Sequence, residues 1–506
     1  MDENEAFASG IADKARVSVS NRAALDLALC IGLIVGGIPR MLHGTDGMHD
    51  GTDIGHDQCF LIFCNQTLLN FVQIKLLTLF YPAKSMKLCL NTALCCVLAG
   101  APSALFANGF RLVSQDAFAA SRGEAFVATA DNASAVHYNP AGLTQIPDSE
   151  IRAGIYGLYF DPTYQPPDTA SNAGQTYRIK DRFALAPQLY FSKKLTDTPF
   201  TFGLGIYAPD GASVTWPQDT GFRAVATQGE LTYLRINPVL ACEPLPGLSL
   251  AAGLMLDYGD ISLEQGLRRT ALPLANSFRF QGDAWGAGYN LGLLWKIDDR
   301  FSFGATFRSS VTMGFKGQTD IEQQPVIQPT QIPASAEFVF PYTAVFGFSY
   351  RPTERWNIEA DADFSNWSSI DTITIRQTQS PPFPVLRDIP VNLGFKDSWI
   401  YKLGVTRYFD DGWYASAGYV YNQNSVPDHY YSPVVADLDR QFLTLGIGRR
   451  WSRYSLDLAY QFGFAPSHTV SGSVPSSTPG RFVGQNADGT YGFSSQALLL
   501  SVSMRF

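Results

Sequence analysis

From residue 150 onward the chain repeatedly alternates apolar and polar residues with a period of two. In WNIEADADF, Trp356, Ile358, Ala360, Ala362 and Phe364 fall on one face, and Asn357, Glu359, Asp361 and Asp363 on the other. FSFGATFRSS sets Phe301, Phe303, Ala305 and Phe307 against Ser302, Gly304, Thr306 and Arg308, and YSLDLAYQFGF repeats the pattern over 454–464. Side chains of a strand point alternately to its two faces, so these are strands bathed by two different solvents. The fold class that follows is all-β.

Fourteen such runs occur, near 151–160, 183–195, 200–209, 231–243, 247–263, 282–296, 301–315, 341–351, 355–375, 398–409, 412–422, 440–451, 453–464 and 496–506. The connections alternate long and short. Thr196–Pro199, Ile297–Arg300 and Asp410–Asp411 are tight turns, whereas 161–182, 210–230, 264–281, 316–340, 376–397, 423–439 and 465–495 are long. An even number of strands of about ten residues, with short turns at one end and long loops at the other, is the pattern of a transmembrane antiparallel barrel in an outer membrane. A soluble sandwich also alternates, but gives no reason to gather every long loop on one side.

Composition agrees. The 506 residues are 13% aromatic and only 16% charged, and the net charge of -8 provides no basic footprint for nucleic acid. Six of the seven cysteines precede residue 100, so Cys242 is left alone and neither a disulfide framework nor a metal site is expected. His137, His429 and His468 are scattered, and no GxSxG or phosphate-binding motif occurs. No enzyme activity, cofactor or metal is therefore expected.

From Met86 the chain reads MKLCLNTALCCVLAGAPSALFANGF, with a basic start at Lys87, an apolar core over 88–100 and small residues ending Leu105-Phe106-Ala107. This is the order of parts in a secretory signal peptide, cleaved after Ala107. Cys95-Cys96 raise a lipoprotein alternative, but no small-residue pair precedes either. Residues 1–85 are read as an extension from an upstream start codon, the alternative being a genuine cytoplasmic or anchoring segment. The expected domains are thus 1–85, a signal peptide over 86–107, an N-terminal segment over 108–150 and a barrel over 151–506.

NGFRLVSQDAFAASRGEAFVATADNASAVHYNPAGL resembles the mature N-terminus of FadL/TodX outer-membrane transporters of long-chain fatty acids and other hydrophobic compounds. The resemblance rests on Gly109-Phe110, Gly123, Asp131–Ser134 and Asn139-Pro140-Ala141. FGLGIYAPDG, GDAWGAGYNLGLLW, TFRSSVTMGFKG and GFKDSWIYKLGVTRYFDDGW extend it, so that it covers essentially 108–506 but not 1–85. It implies a barrel of fourteen strands whose lumen is closed by an N-terminal plug. It also implies passive uptake by loop capture, plug movement and exit through the wall of a Gram-negative outer membrane. A porin, an adhesin and an outer-membrane lipid hydrolase are the alternatives. The expected partners are a fatty acid or other apolar ligand, outer-membrane lipid and lipopolysaccharide, and the barrel-assembly machinery; the expected state is a monomer.

Several residues are candidates for the route. Gly109, Phe110, Asn139, Pro140 and Ala141 belong to the plug, where Asn139-Pro140-Ala141 is either a gate or a rigid turn. Lys396, in the GFKD stretch that the family shares, and Arg268 are candidates for a carboxylate head-group. Gly203 and Gly205 of the third strand are candidates for an opening in the wall, against routine strand glycines.

Overall fold

The computed structural model describes residues 109–267, 276–323, 327–382, 385–435, 437–475 and 485–506. The extension, the signal peptide and Arg268 lie outside the described residues. Fourteen strands form the wall. The first seven are β1 (Glu150–Phe160), β2 (Phe183–Lys194), β3 (Phe200–Tyr207), β4 (Gln228–Leu245), β5 (Leu248–Gly266), β6 (Asn276–Lys296) and β7 (Phe301–Arg308). The rest are β8 (Thr343–Thr353), β9 (Trp356–Ser365), β10 (Ser398–Tyr408), β11 (Trp413–Asn422), β12 (Arg440–Arg450), β13 (Tyr454–Val470) and β14 (Gly489–Arg505). Each pairs antiparallel with the next, and β1 closes on β14 in an unbroken register from Glu150↔Arg505 to Phe160↔Ser495. Closure leaves neither the first strand nor the last as a free sheet edge, the condition for crossing a lipid layer with strands.

Which face looks where is settled by exposure. On β9, Ile358 is 40% exposed, whereas Glu359, Asp361 and Asp363 are 0%, 5% and 1% exposed. Leu443, Leu445 and Ile447 of β12 and Leu456 and Leu458 of β13 are likewise exposed. The wall is inside out by the standard of a soluble protein: oil outward, charge inward.

Two runs end earlier than their alternation suggested. The run 301–315 stops at Arg308, and Val311–Gln323 turns back through Ile327–Phe340 as a hairpin. The expected loop 316–340 is therefore mostly strand. Its first arm pairs with the upper half of the long β6, from Lys316↔Asp283 to Gln323↔Asn276, while the lower half of β6 pairs with β7. Alternation persists through both arms, and β6 is long enough to template them. The run 355–375 similarly stops at Ser365, where a short helix at Trp367–Ser369 redirects the chain into Thr372–Gln377.

Residues 109–149 pack against the inner face of this wall. Asp116 caps the helix Ala117–Ser121, its carboxylate accepting from the amides of Phe118 and Ala119. Ala135–Tyr138 form a second short helix, and Pro140–Gln145 a 3-10 turn. Ala119, Ala120, Ala130, Ala133 and Ala135 are fully buried, their small side chains permitting close approach to the wall.

Gly203 and Gly205 sit in an intact ladder, opposite Ser192 and Tyr190 on β2 and Val239 and Asn237 on β4. A Cβ at Gly203 would lie 2.5 Å from Leu143 and 2.8 Å from Val136, so the glycine makes room for the N-terminal segment and does not loosen the strand. Gly203→Val is expected to cost about 1–3 kcal/mol through overpacking. Chemical denaturation of refolded barrel, compared with the wild type, checks this.

Candidate functional site

The wall is interrupted elsewhere in the third strand. The β2–β3 ladder runs only from Lys194↔Thr201 to Leu189↔Ile206, and above it Phe183–Gln188 keep their partners on β1. After Tyr207 the chain leaves the ladder over 208–211 and rejoins β4 as Ala212–Thr215. Pro209 enforces the departure, since it has no amide hydrogen to offer the sheet. The discontinuity thus falls at Ala208-Pro209-Asp210-Gly211, and not at the glycines of the preceding turns of sequence.

The groups freed there are taken by the chain's own N-terminal end. The Leu112 amide donates to the Pro209 carbonyl at 2.8 Å, and the Gly211 amide donates to the Phe110 carbonyl at 2.9 Å, with Arg111 bridging Asp210. The Gln115 side chain donates to the Ala208 carbonyl at 2.7 Å. Three residues of the N-terminal segment therefore act as a short splint along the gap.

Gly109 has φ of 67°, and a Cβ there would meet the Trp367 ring at 2.4 Å, so only glycine can start the splint at this point. Phe110 packs on Trp367 and Phe395, with ring centroids 6.0 and 6.4 Å away. It also lines an apolar cavity at the long-loop end, together with Leu231, Ile261, Phe338, Ile373 and Val434. Among the described residues its charged lining residues are Glu230 and Glu264.

The next residue, Arg111, faces a second, small cavity, lined also by His137, Pro209, Asp210, Arg235 and Arg308. Arg111 is committed to Asp363 through two hydrogen bonds at 2.9 and 3.0 Å, and Arg235 to Asp257 at 2.7 Å. Arg308 is different. It is 7% exposed, its Nε has no hydrogen-bond partner, and among the described residues no carboxylate stands within salt-bridge distance. A buried guanidinium without a counter-ion is costly, and an incoming anion relieves that cost.

Asn139 holds the N-terminal segment from the other side. Its amide donates to the carbonyls of Val127, at 2.7 Å, and Leu293 on β6, at 2.9 Å, while its oxygen accepts from the Ala141 amide at 3.2 Å. Pro140 and Ala141 are buried in the turn that follows. Further clamps come from the wall's carboxylates. Asp361 accepts from the amides of Phe126 and Val127, Glu359 from Ala128 and from Arg122, and Arg152 joins Asp116 to Asp457.

Lys396 lies on the exposed side of its loop and lines neither cavity; its backbone amide is held by the Ser425 carbonyl. Within GFKD it is Phe395 that reaches the aromatic cluster around Phe110. Arg308 stands on the polar face of FSFGATFRSS, which the alternation directs into the lumen.

These features define an outer-membrane β-barrel of fourteen strands with its own N-terminal segment lodged in the lumen. The chain belongs to the outer membrane protein transport protein (OMPP1/FadL/TodX) family, whose model matches residues 97–506. It is 24% identical over 353 residues to a long-chain fatty acid transport protein of Salmonella typhi, covering 63% of this chain and 78% of the relative. It is 25% identical over 364 residues to a 47 kDa outer membrane protein of Pasteurella multocida, covering 66% and 81%. Among solved structures, a FadL homologue of Pseudomonas aeruginosa superposes with a TM-score of 0.68 at 19% identity, over 79% of this chain and all of that one. The toluene transporter TodX of Pseudomonas putida does so with a TM-score of 0.59 at 16% identity, over 79% of this chain and all of that one.

Proposed function

We propose that this protein passively takes up long-chain fatty acids and related apolar molecules across the outer membrane. The observation that carries the reading is the splint. Phe110, Arg111 and Leu112 occupy the gap in the third strand and also stand between the apolar cavity and the cavity that holds Arg308. An apolar tail gains by leaving water for the first cavity, at roughly 25 cal/mol per Å² of surface buried. A carboxylate gains at Arg308, where the cation is already desolvated. Movement of the splint would join the two cavities and uncover the gap in the wall at once, giving the tail a sideways exit into lipid. No step of this route makes or breaks a covalent bond, so it is transport without catalysis.

In this reading the N-terminal segment is the plug, and Asn139-Pro140-Ala141 is its rigid hinge point on β6. The head-group role expected of Lys396 passes to Arg308. The test is Arg308→Met. Fatty-acid binding is expected to weaken about tenfold to a hundredfold, the equivalent of one charge-assisted hydrogen-bonded contact, while binding of a neutral hydrocarbon is unchanged. The unliganded variant is also expected to be no less stable than the wild type, because an unpaired buried charge has gone. Equal loss for both ligands, or none for either, would overturn the assignment.

A further inference from the structure

The rim formed by the short turns carries a second arrangement of cations, on the outside of the wall. On β10, alternate residues from Tyr401 through Leu403 and Val405 to Arg407 face outward; on β12 the outward row runs from Leu443 through Leu445 and Ile447 to Arg449. Each row is apolar until its last turn and then ends on arginine. Trp356 is the cross-strand neighbour of Arg407, and Trp413 that of Arg449, so each guanidinium shares a face with an indole. Arg407 lies 4.7 Å from the Trp356 ring centre, and Arg449 lies 5.3 and 5.1 Å from those of Trp413 and Trp451. Trp356, Trp413 and Trp451 are 37%, 42% and 45% exposed.

Stacking on an indole fixes the plane of a guanidinium but leaves its edge, with its N–H donors, free. Neither Arg407 nor Arg449 has an ion pair among the described residues. Arg449 spends only its Nε, on the Asp411 carbonyl at 3.1 Å, and the exposed Arg453 lies on the adjacent turn. Three other arginines of this rim are paired: Arg355 with Asp410, Arg450 with Asp131, and Arg505 with Glu150. Below the two stacks the outward surface is Leu403, Leu445, Ile447 and Leu456, each exposed and shaped to meet acyl chains. Short turns of such barrels face the periplasm, so this boundary lies at the phosphates of the inner, phospholipid leaflet.

We propose that Arg407 and Arg449 form an anionic-phospholipid site on the outer wall between β9 and β12, each donating its free edge to a lipid phosphate. β10 and β12 are two strands apart, roughly 10 Å, which separates the positions by about one headgroup. Tryptophan supplies the interfacial seat, arginine the phosphate contact, and the leucines the acyl contact. This site is independent of the uptake route and of its substrate.

The test is native mass spectrometry of the full purified barrel from detergent, with phosphatidylglycerol or phosphatidylethanolamine added at equal concentration. The wild type is expected to retain phosphatidylglycerol at least fivefold better, and millimolar inorganic phosphate is expected not to displace it. Arg407→Gln with Arg449→Gln is expected to remove that preference while fatty-acid binding stays at the wild-type level. Equal retention of the two lipids by the wild type, displacement by phosphate, or an undiminished preference in the Gln pair would overturn the proposal. Should the Gln pair fail to fold, Arg407→Lys with Arg449→Lys decides. This pair keeps the charge but loses the fork and the stacking, so a reduced preference supports the site and an unchanged one refutes it.

Discussion

Oxidising a cysteine pair placed at 111 and 210 (Arg111→Cys, Asp210→Cys) is expected to abolish uptake, and reducing it to restore uptake. Arg111 and Asp210 are the bridged residues of an antiparallel contact, which brings their Cα atoms about 4.5–5.5 Å apart, within the range a disulfide spans. The cross-link replaces a few hydrogen bonds, each worth about 1 kcal/mol net and able to break on each passage, by a covalent bond that cannot. The initial rate of labelled fatty-acid uptake should fall at least tenfold in the oxidised protein. Arg111→Cys alone, which leaves Asp363 still paired with Lys402 at 2.9 Å, separates the effect of the lock from that of the lost arginine. Wild-type uptake with the cross-link fully formed would mean that the splint does not move during transport.

The largest effect on stability is expected from Arg152→Met. Arg152 is 2% exposed and joins Asp116, the cap of the first short helix, to Asp457 of β13 at 2.6 Å. Methionine fills much the same space but leaves two carboxylates buried within a few ångströms of each other, which is expected to cost about 3–5 kcal/mol. The loss should appear as a lower denaturant midpoint for the refolded barrel and as new protease cleavage near residues 116–122. Asp116→Asn with Asp457→Asn in the same chain should recover much of it, since neutral amides need no cation. A midpoint unchanged by Arg152→Met would show that the pairing is immaterial to the fold.

The wall was legible because its cause is local. A strand between lipid and lumen must alternate, so residues such as Trp356–Phe364 announce both their conformation and their two surroundings. The hairpin over 311–340 shows where that logic thins out, because alternation marks a strand without saying which neighbour it pairs with; only the length of β6 decides that. The site was less legible. Gly203 and Gly205 drew notice as weak points of a strand, yet what breaks a ladder is a missing donor, and Pro209 was the residue that lacked one. Lys396 stood out through its sequence context, while the bare fact that Arg308 shares a face with Ser302 and Thr306 put it inside. Counter-ion balance in the lumen is a sum over residues hundreds of positions apart, from Arg111 to Asp363 or Asp131 to Arg450, and no window of sequence contains it.

The carboxylates of β9 tie the identity of the wall to that of its contents. Glu359, Asp361 and Asp363 stand in a row on the inner face of a single strand, and their partners are Arg122, Arg111, Lys402 and the amides of Phe126, Val127 and Ala128. A cylinder closed without residues 109–149 would seal these acids away from most of their matching groups. The wall and residues 109–149 are therefore complementary halves of one charge balance, and removing either leaves buried charge unmatched in the other.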